Sequence, residues 1–391
     1  MPAISKELFY EKVTDDTSCN VIHYWEKDCL KKNFSWYFIK NLILGSGKFF
    51  LPVYILKLAL NYKKAKDKKF LLSLILSEAR SIIYGIAMGE MIVATMCFNR
   101  AILGRLHYYP ILFIPGAISG LSVLIESKEN QILDALIFFN SLVETVLNKL
   151  QLSVKMETFA FMLVSGALMS ILENRKKDIK FMYLWFYTPQ RIQQADDKQN
   201  RSCIHKESCF EYVYKGFGKY FALGYAVNIV RSVLPRMGRM VQKPSLLVRL
   251  LLNKSNFLFG LLIGSYTGLY KLISCYLNKT SVVKKEFRGL ISGFLSGAAY
   301  AIYPSVQVFV IAITTLLQLI YDHIAITLKI TDSFWQRQLL FMFCHGYLLH
   351  NKMFFSETCS PYYSKMIDAC TNNLSYHMYR KLLKEYFGIV V

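Results

Sequence analysis

Charge is scarce in this 391-residue chain, and negative charge is scarcest: charged residues make up 19%, with 26 Asp and Glu against 47 Lys and Arg. A soluble domain averages roughly 25% charged residues, so two or three domains built from this chain would lack the polar material to coat a water-facing surface. That argues against a cytosolic enzyme, a disordered regulator or a secreted disulfide module. Catalytic signatures are missing too. There is no Gly-x-Ser-x-Gly elbow and no His-Glu-x-x-His helix. Gly45-Ser46-Gly47-Lys48 lacks the earlier glycine and the following Ser or Thr of a phosphate-binding loop. The nine cysteines contain no Cys-x-x-Cys pair, which argues against a disulfide framework or a thioredoxin-like site. His345 and His350 have no nearby Glu and read as core or interface residues. The expectation is therefore a non-enzyme with no catalytic residue, no cofactor and no metal.

What is present is apolar length, with 54% hydrophobic and 15% aromatic residues. A helix rising 1.5 Å per residue needs about 20 mostly apolar residues to cross a hydrocarbon core of about 30 Å. Each half of the chain offers five candidates: 36–60, 70–98, 106–125, 131–148 and 157–172, then 212–234, 245–277, 287–303, 305–328 and 334–350. Leu106 to Ile125 is the clearest, having no Asp, Glu, Lys or Arg. The first of each half carries Lys40, Lys48 and Lys57, or Lys215, Lys219 and Arg231. A basic residue at the bilayer centre costs about 2.5–3.5 kcal/mol, so these two read as amphipathic helices on the membrane surface. Eight spans remain, four per half. Gln190 to His205 is polar and charged and reads as the linker.

The halves resemble one another. Gly85 and Gly89 recur as Gly260 and Gly264, and Gly116 and Gly120 as Gly293 and Gly297. Phe161-Met162, Gly166 and Leu168 recur as Phe341-Met342, Gly346 and Leu348, while His23 and Cys29 recur as His205 and Cys209. These matches keep a nearly constant offset, which points to an internal duplication of a kind common in membrane transporters and channels. Gly260, Gly264 and Gly268, and separately Gly289, Gly293 and Gly297, lie four apart, so each set forms a smooth stripe on one helix face. Two stripes on neighbouring segments predict a tight intramembrane pair.

Ionisable residues inside apolar segments are candidates for function, because burying them in lipid is costly. They are Glu78, Arg80 and Glu90 in the second segment, Glu144 in the fourth, and Asp322 with His323 in its counterpart. Two Cys/His elements, Cys19, His23 and Cys29, and Cys203, His205 and Cys209, supply three ligands each. A closed structural zinc site needs four. Structural or redox-modified thiols at the membrane face are the expectation there.

The net charge of +21 falls in clusters between apolar runs: Lys63, Lys64, Lys66, Lys68 and Lys69; Arg175, Lys176, Lys177 and Lys180; Lys279, Lys284, Lys285 and Arg288. That placement suits anionic lipid rather than nucleic acid. The first 30 residues, mixed in charge, resemble neither a secretory apolar stretch nor an Arg-rich transit peptide, and Gly388 to Val391 carries no retention or peroxisomal-matrix tripeptide. Delivery through internal signals is expected.

In the second half, a run of residues resembles the transmembrane protein 135 family. It comprises Lys215-Gly216-Phe217, Gly224-Tyr225, Pro244-Ser245, Asn253-Lys254, Asn256-Phe257, Gly260, Gly264-Ser265, Tyr270-Lys271, Ser274-Cys275, Gly293-Phe294, Gly297 and Ser305. Cys19, His23, Trp25 and Cys29 resemble that family's cysteine-rich opening, with Tyr24 and Asp28 departing from its usual proline and serine. The glycine ladders are more distantly similar to the inner-membrane protein translocase channel family. The resemblance implies a multi-pass protein of mitochondrial and peroxisomal membranes, linked to mitochondrial fission and fusion balance, peroxisome organisation and lipid handling, with the fission machinery as a partner.

The sequence thus predicts an all-α polytopic membrane protein with two repeated four-span halves, each preceded by an amphipathic Cys/His-containing segment. Its parts are residues 1–190, a linker with the second Cys/His element at 191–211, and residues 212–391 ending in a polar tail. Anionic lipid and a second copy of the chain are the expected partners. A lipid or solute conduit at the repeat interface is the alternative.

Overall fold

The helices start and stop where local chemistry dictates. The Asp67 carboxylate accepts from the Lys69 amide at 2.9 Å and opens one helix; Gly104, at φ 74°, closes it in the left-handed conformation that glycine tolerates. Asn253 caps another by accepting from the Ser255 amide at 2.9 Å, and Ser360 with Pro361 begins a third. The computed structural model describes residues 4–13, 17, 23–26, 28–29, 31, 35–175, 185–189, 203, 205, 207–233, 245–328 and 334–388. It is helical, with no strand among the described residues.

In chain order the α-helices are α1 (Lys6–Lys12), α2 (Trp36–Leu60), α3 (Lys68–Leu103), α4 (Phe113–Ser119), α5 (Lys128–Leu150), α6 (Val154–Asn174) and α7 (Cys209–Val233). There follow α8 (Ser245–Leu251), α9 (Lys254–Thr280), α10 (Lys285–Ser296), α11 (Val306–Thr327), α12 (Phe334–Phe354), α13 (Pro361–Cys370) and α14 (Leu374–Phe387). Short 3₁₀ turns, Gly120–Ile125 and Gly297–Ile302, continue α4 and α10.

Among the described residues, five stretches are long and apolar enough to cross a membrane: Trp36–Leu60, Lys68–Leu103, Val154–Asn174, Ser245–Thr280 and Val306–Thr327. The chain is accordingly a helical membrane protein. This count corrects the expected eight spans. Phe113–Ile125, expected as the core of a full span, is a short helix that tightens into a 3₁₀ turn and extends only about 22 Å, short of a hydrocarbon core of about 30 Å. Lys128–Leu150, Lys285–Ile302 and Phe334–Phe354, where spans were expected over 131–148, 287–303 and 334–350, are helical but are not among the five. Conversely, Trp36–Leu60 and Cys209–Val233 lack the one-sided apolar face expected of them. Their apolar residues run right round the helix, and the first of them is apolar enough to span.

The chain divides into two compact units that do not follow its halves. The first comprises residues 1–150 with 332–391, the second residues 151–331. In the first unit α12, from the end of the chain, packs against α4 and α5. Phe138 meets Phe341 at 4.5 Å between ring centroids, and the Gln338 amide donates to Gln131 at 3.0 Å. The expected polar tail folds as α13 and α14, whose apolar faces bury Tyr363, Ile367 and Leu383 in that unit's core. Its start and end meet: the Ile4 amide donates to the Phe354 carbonyl at 2.9 Å, and Phe9 lies edge-on to Phe354.

In the second unit α6 packs on α10 and α11, and α7 runs along α9. Phe161, Tyr266, Tyr300 and Phe309 form its aromatic centre, with Phe161 and Tyr300 stacked at 4.6 Å. Apolar burial gains little when lipid is the solvent, so such contacts depend on close fit. The glycines supply it, although the two stripes do not face each other as expected. A Cβ built on Gly264 would lie 3.1 Å from the Phe217 carbonyl oxygen, and one on Gly260 3.0 Å from that of Phe221, so this stripe faces α7; Gly268 looks more loosely onto Phe217. Gly289, Gly293 and Gly297 instead face α6, where a Cβ on Gly293 would lie 2.6 Å from the Ser165 oxygen and one on Gly297 2.7 Å from the Met162 Cα. In the first unit Gly116 meets Gly346 at 2.8 Å from its built Cβ to Cα, Gly120 meets Met342 at 3.0 Å, Gly89 receives Leu42, and Gly85 receives the Ser46 hydroxyl.

Candidate metal centre and buried acids

Cysteine and histidine are the residues here whose chemistry is least explained by packing. In the second unit four of them converge: Cys203, His205, Cys209 and Cys275, whose ligand atoms all lie within 4.8 Å of one another. Cys203 and His205 precede α7, Cys209 is its first residue, and Cys275 lies near the end of α9. The glycine-lined pairing of α7 on α9 brings the start of one helix beside the end of the other, which is why residues far apart in sequence meet. The Cys203 and Cys209 sulfurs are 3.8 Å apart, far beyond the roughly 2.05 Å of a disulfide.

The imidazole is oriented by its surroundings. His205 Nδ1 lies 2.7 Å from the Glu207 carbonyl, an acceptor only, so Nδ1 carries the proton and donates it there. The Nε2 lone pair is left pointing at Cys275 Sγ, 3.2 Å away. The ring stacks on Tyr212 at 4.4 Å, and the Lys271 ammonium sits 3.8 Å from the centroid of that tyrosine. Burial, with Cys275 alongside, pushes the Tyr212 phenol above its ordinary value and keeps it protonated. Lys215 reaches Glu211 at 2.7 Å and Glu207 at 3.0 Å, tying the loop to α7, and these two carboxylates raise its own pKa.

The first unit holds a cluster of the same kind. His23, Cys29 and Cys97 have their ligand atoms within 4.8 Å of one another. His23 Nδ1 meets the Glu26 carbonyl at 2.6 Å and Nε2 meets Cys29 Sγ at 3.3 Å, repeating the orientation of His205. Cys97 belongs to α3. Cys19, expected as a member of this element, lies outside the described residues, as does most of the expected linker.

Cys97 and Cys275 join elements whose local spacing offers only three ligands each. Both were within reach: they lie 178 residues apart, inside the offsets that relate the glycine pairs and the histidines. Isolated cysteines inside apolar helices carry no ligand spacing of their own, so only the repeat marks them.

The acids have a different fate. Glu144 is buried in α5 and accepts the Ser360 hydroxyl at 2.5 Å, while the adjacent Thr145 hydroxyl accepts the Ser360 amide at 3.0 Å. Glu78, Glu90 and Asp322 are half-buried, and Arg80 and His323 are exposed. Glu144 falls in the first unit and Asp322 in the second. Glu173, at the end of α6 and not among the expected acids, is also buried and accepts from the Tyr270 hydroxyl at 3.4 Å beside Gly289. His345 is a core residue as expected, fully buried with Nδ1 3.0 Å from the Tyr363 hydroxyl. No family model and no solved structure matches the chain.

Proposed function

We propose that the chain is a multi-pass organelle membrane protein with an organising rather than a catalytic role, shaping mitochondrial and peroxisomal membranes and so influencing fission, fusion and lipid metabolism. The organelle and the role follow from the resemblance to the transmembrane protein 135 family. The observation that carries the organiser over a conduit is the internal satisfaction of Glu144, whose carboxylate is closed off by Ser360 instead of lining an open polar path. Rigid packing supports the same reading, since glycines bring backbones together at Gly116 on Gly346 and Gly293 on Ser165.

The duplication is part of this proposal. Gly116 and Gly120 contact Gly346 and Met342, while their counterparts Gly293 and Gly297 contact Ser165, Met169 and Met162, and Met162 is the counterpart of Met342. The matching supports two repeats that have exchanged their last helices, α6 for α12. Basic clusters such as Lys63 to Lys69 would hold anionic headgroups, at about 1 kcal/mol per residue. The fission machinery and a second copy of the chain are the proposed protein partners.

A lipid carrier is the second reading, favoured by one observation. An apolar groove of about 420 Å³ in the second unit, lined by Phe210, Tyr214, Phe217, Gly268, Leu272 and Ile302, has room for part of an acyl chain. Depletion in cells, combined with alkaline extraction and imaging of a tagged copy, separates the readings. The organiser predicts an extraction-resistant protein on these organelles and altered organelle shape, with lipid flux unchanged by Leu272→Trp, which fills the groove. Loss of flux in that variant, with organelle shape intact, would favour the carrier.

A further inference from the structure

The four groups at the junction of α7 and α9 form a donor set that packing does not explain. Three thiols and an imidazole converge on one point, and their separations match those of ligands around a single ion. A tetrahedral zinc with bonds of about 2.3 Å to sulfur and about 2.0 Å to nitrogen places sulfurs about 3.8 Å apart and sulfur about 3.5 Å from nitrogen. Cys203 and Cys209 stand at 3.8 Å, His205 Nε2 and Cys275 Sγ at 3.2 Å, and all four lie within 4.8 Å.

We infer that Cys203, His205, Cys209 and Cys275 bind one zinc ion, a structural site that ties the segment preceding α7 to the end of α9. This goes beyond the organising role proposed above and stands whether or not that role is correct. Three observations carry it. The ligand count is four with no room left in the set for a substrate, which distinguishes a structural from a catalytic zinc. The imidazole already presents Nε2, because Nδ1 donates to the Glu207 carbonyl, the outer contact that fixes a metal-binding histidine. The first unit repeats that device at His23, with the Glu26 carbonyl on one nitrogen and Cys29 on the other, and again draws a cysteine, Cys97, from a long apolar helix.

Thiolate and imidazole donors in this proportion select zinc over magnesium or calcium, which prefer oxygen. Binding releases the three thiol protons to solvent and leaves a site of net charge −1. Lys271, one helical turn before Cys275, supplies a nearby positive charge.

The test uses the full chain, purified in detergent through a tag without histidines after growth in zinc. Elemental analysis should find at least about one zinc per chain, and Cys275→Ser and Cys209→Ser should each remove about one, while Cys370→Ser, outside both clusters, removes none. Cobalt exchanged into the site should show thiolate charge-transfer absorption that Cys275→Ser abolishes. Should those variants fail to fold, the wild-type chain decides the matter alone. Maleimide should label Cys203 and Cys209 slowly before chelation and rapidly after it. A zinc-free wild-type chain, full zinc retention in both serine variants, or equal labelling rates with and without chelator would each overturn the assignment.

Discussion

At Gly293 an added methyl group would lie 2.6 Å from the Ser165 carbonyl oxygen and 2.7 Å from the Met169 Cβ, whereas at Gly218, also helical, nothing lies within 4 Å. The same substitution should therefore act in opposite directions. Gly293→Ala is expected to destabilise the fold by about 1–3 kcal/mol through overpacking, and Gly218→Ala to be neutral or stabilising by up to about 1 kcal/mol through reduced backbone entropy. Thermal unfolding in detergent measures both, and equal shifts would refute the contact described. Ser165 offers a companion test. Its hydroxyl lies 2.7 Å from the Tyr266 hydroxyl and 2.7 Å from the Gly293 carbonyl. Ser165→Ala should cost only about 0.5–1.5 kcal/mol, because Ser296 still donates to the Gly293 carbonyl at 3.0 Å and keeps that group paired. Four-residue spacing made the smooth glycine faces legible in the sequence. It did not say which helix each would meet, because a stripe of small residues marks a face without marking its partner.

Element boundaries were mostly legible, since apolar runs and caps coincide: 131–148 became Lys128–Leu150, and 305–328 became Val306–Thr327. The misreadings share a cause. Counting apolar residues measures hydrophobicity, whereas spanning also needs an unbroken helix, and in the stretch from Leu106 to Ile125, which has no charged residue, the helix begins only at Phe113 because residues 108–112 form a turn. The end of the chain was misread for the opposite reason, its polar residues concealing the one-sided apolar faces of α13 and α14. Those helices are held by a half-buried network. Lys352 of α12 reaches Asp368 of α13 at 2.7 Å, and Asp368 also accepts the Ser375 hydroxyl from α14 at 2.5 Å. Asp368→Asn should loosen both helices at once, costing about 1–3 kcal/mol and exposing sites beyond Phe354 to limited proteolysis. An unchanged cleavage pattern would show that the network is dispensable.

Over the whole molecule, the least legible feature is the division into units. Periodicity and repeat offsets describe each half in isolation, and nothing in them reveals that residues 332–391 pack with residues 1–150. One consequence can be measured with fragments. Residues 1–190 produced alone lack α12, the partner of Gly116 and Gly120, and residues 191–391 lack α6, the partner of Gly293 and Gly297. Each fragment should be degraded rapidly in a pulse-chase experiment, and co-expression should stabilise both and allow them to be purified together. Long life for either fragment alone would contradict the packing.

The reach of these contacts also sets a timetable for synthesis. Glu144 must wait for Ser360, 216 residues later, and Ser46 for Cys370, 324 residues later. While the ribosome is still working, the early helices carry an unsheltered carboxyl and bare glycine seams open to lipid or to one another, a state prone to mispairing. Maturation of this protein should thus lean on an insertion factor that shelters the first five helices until the last three emerge.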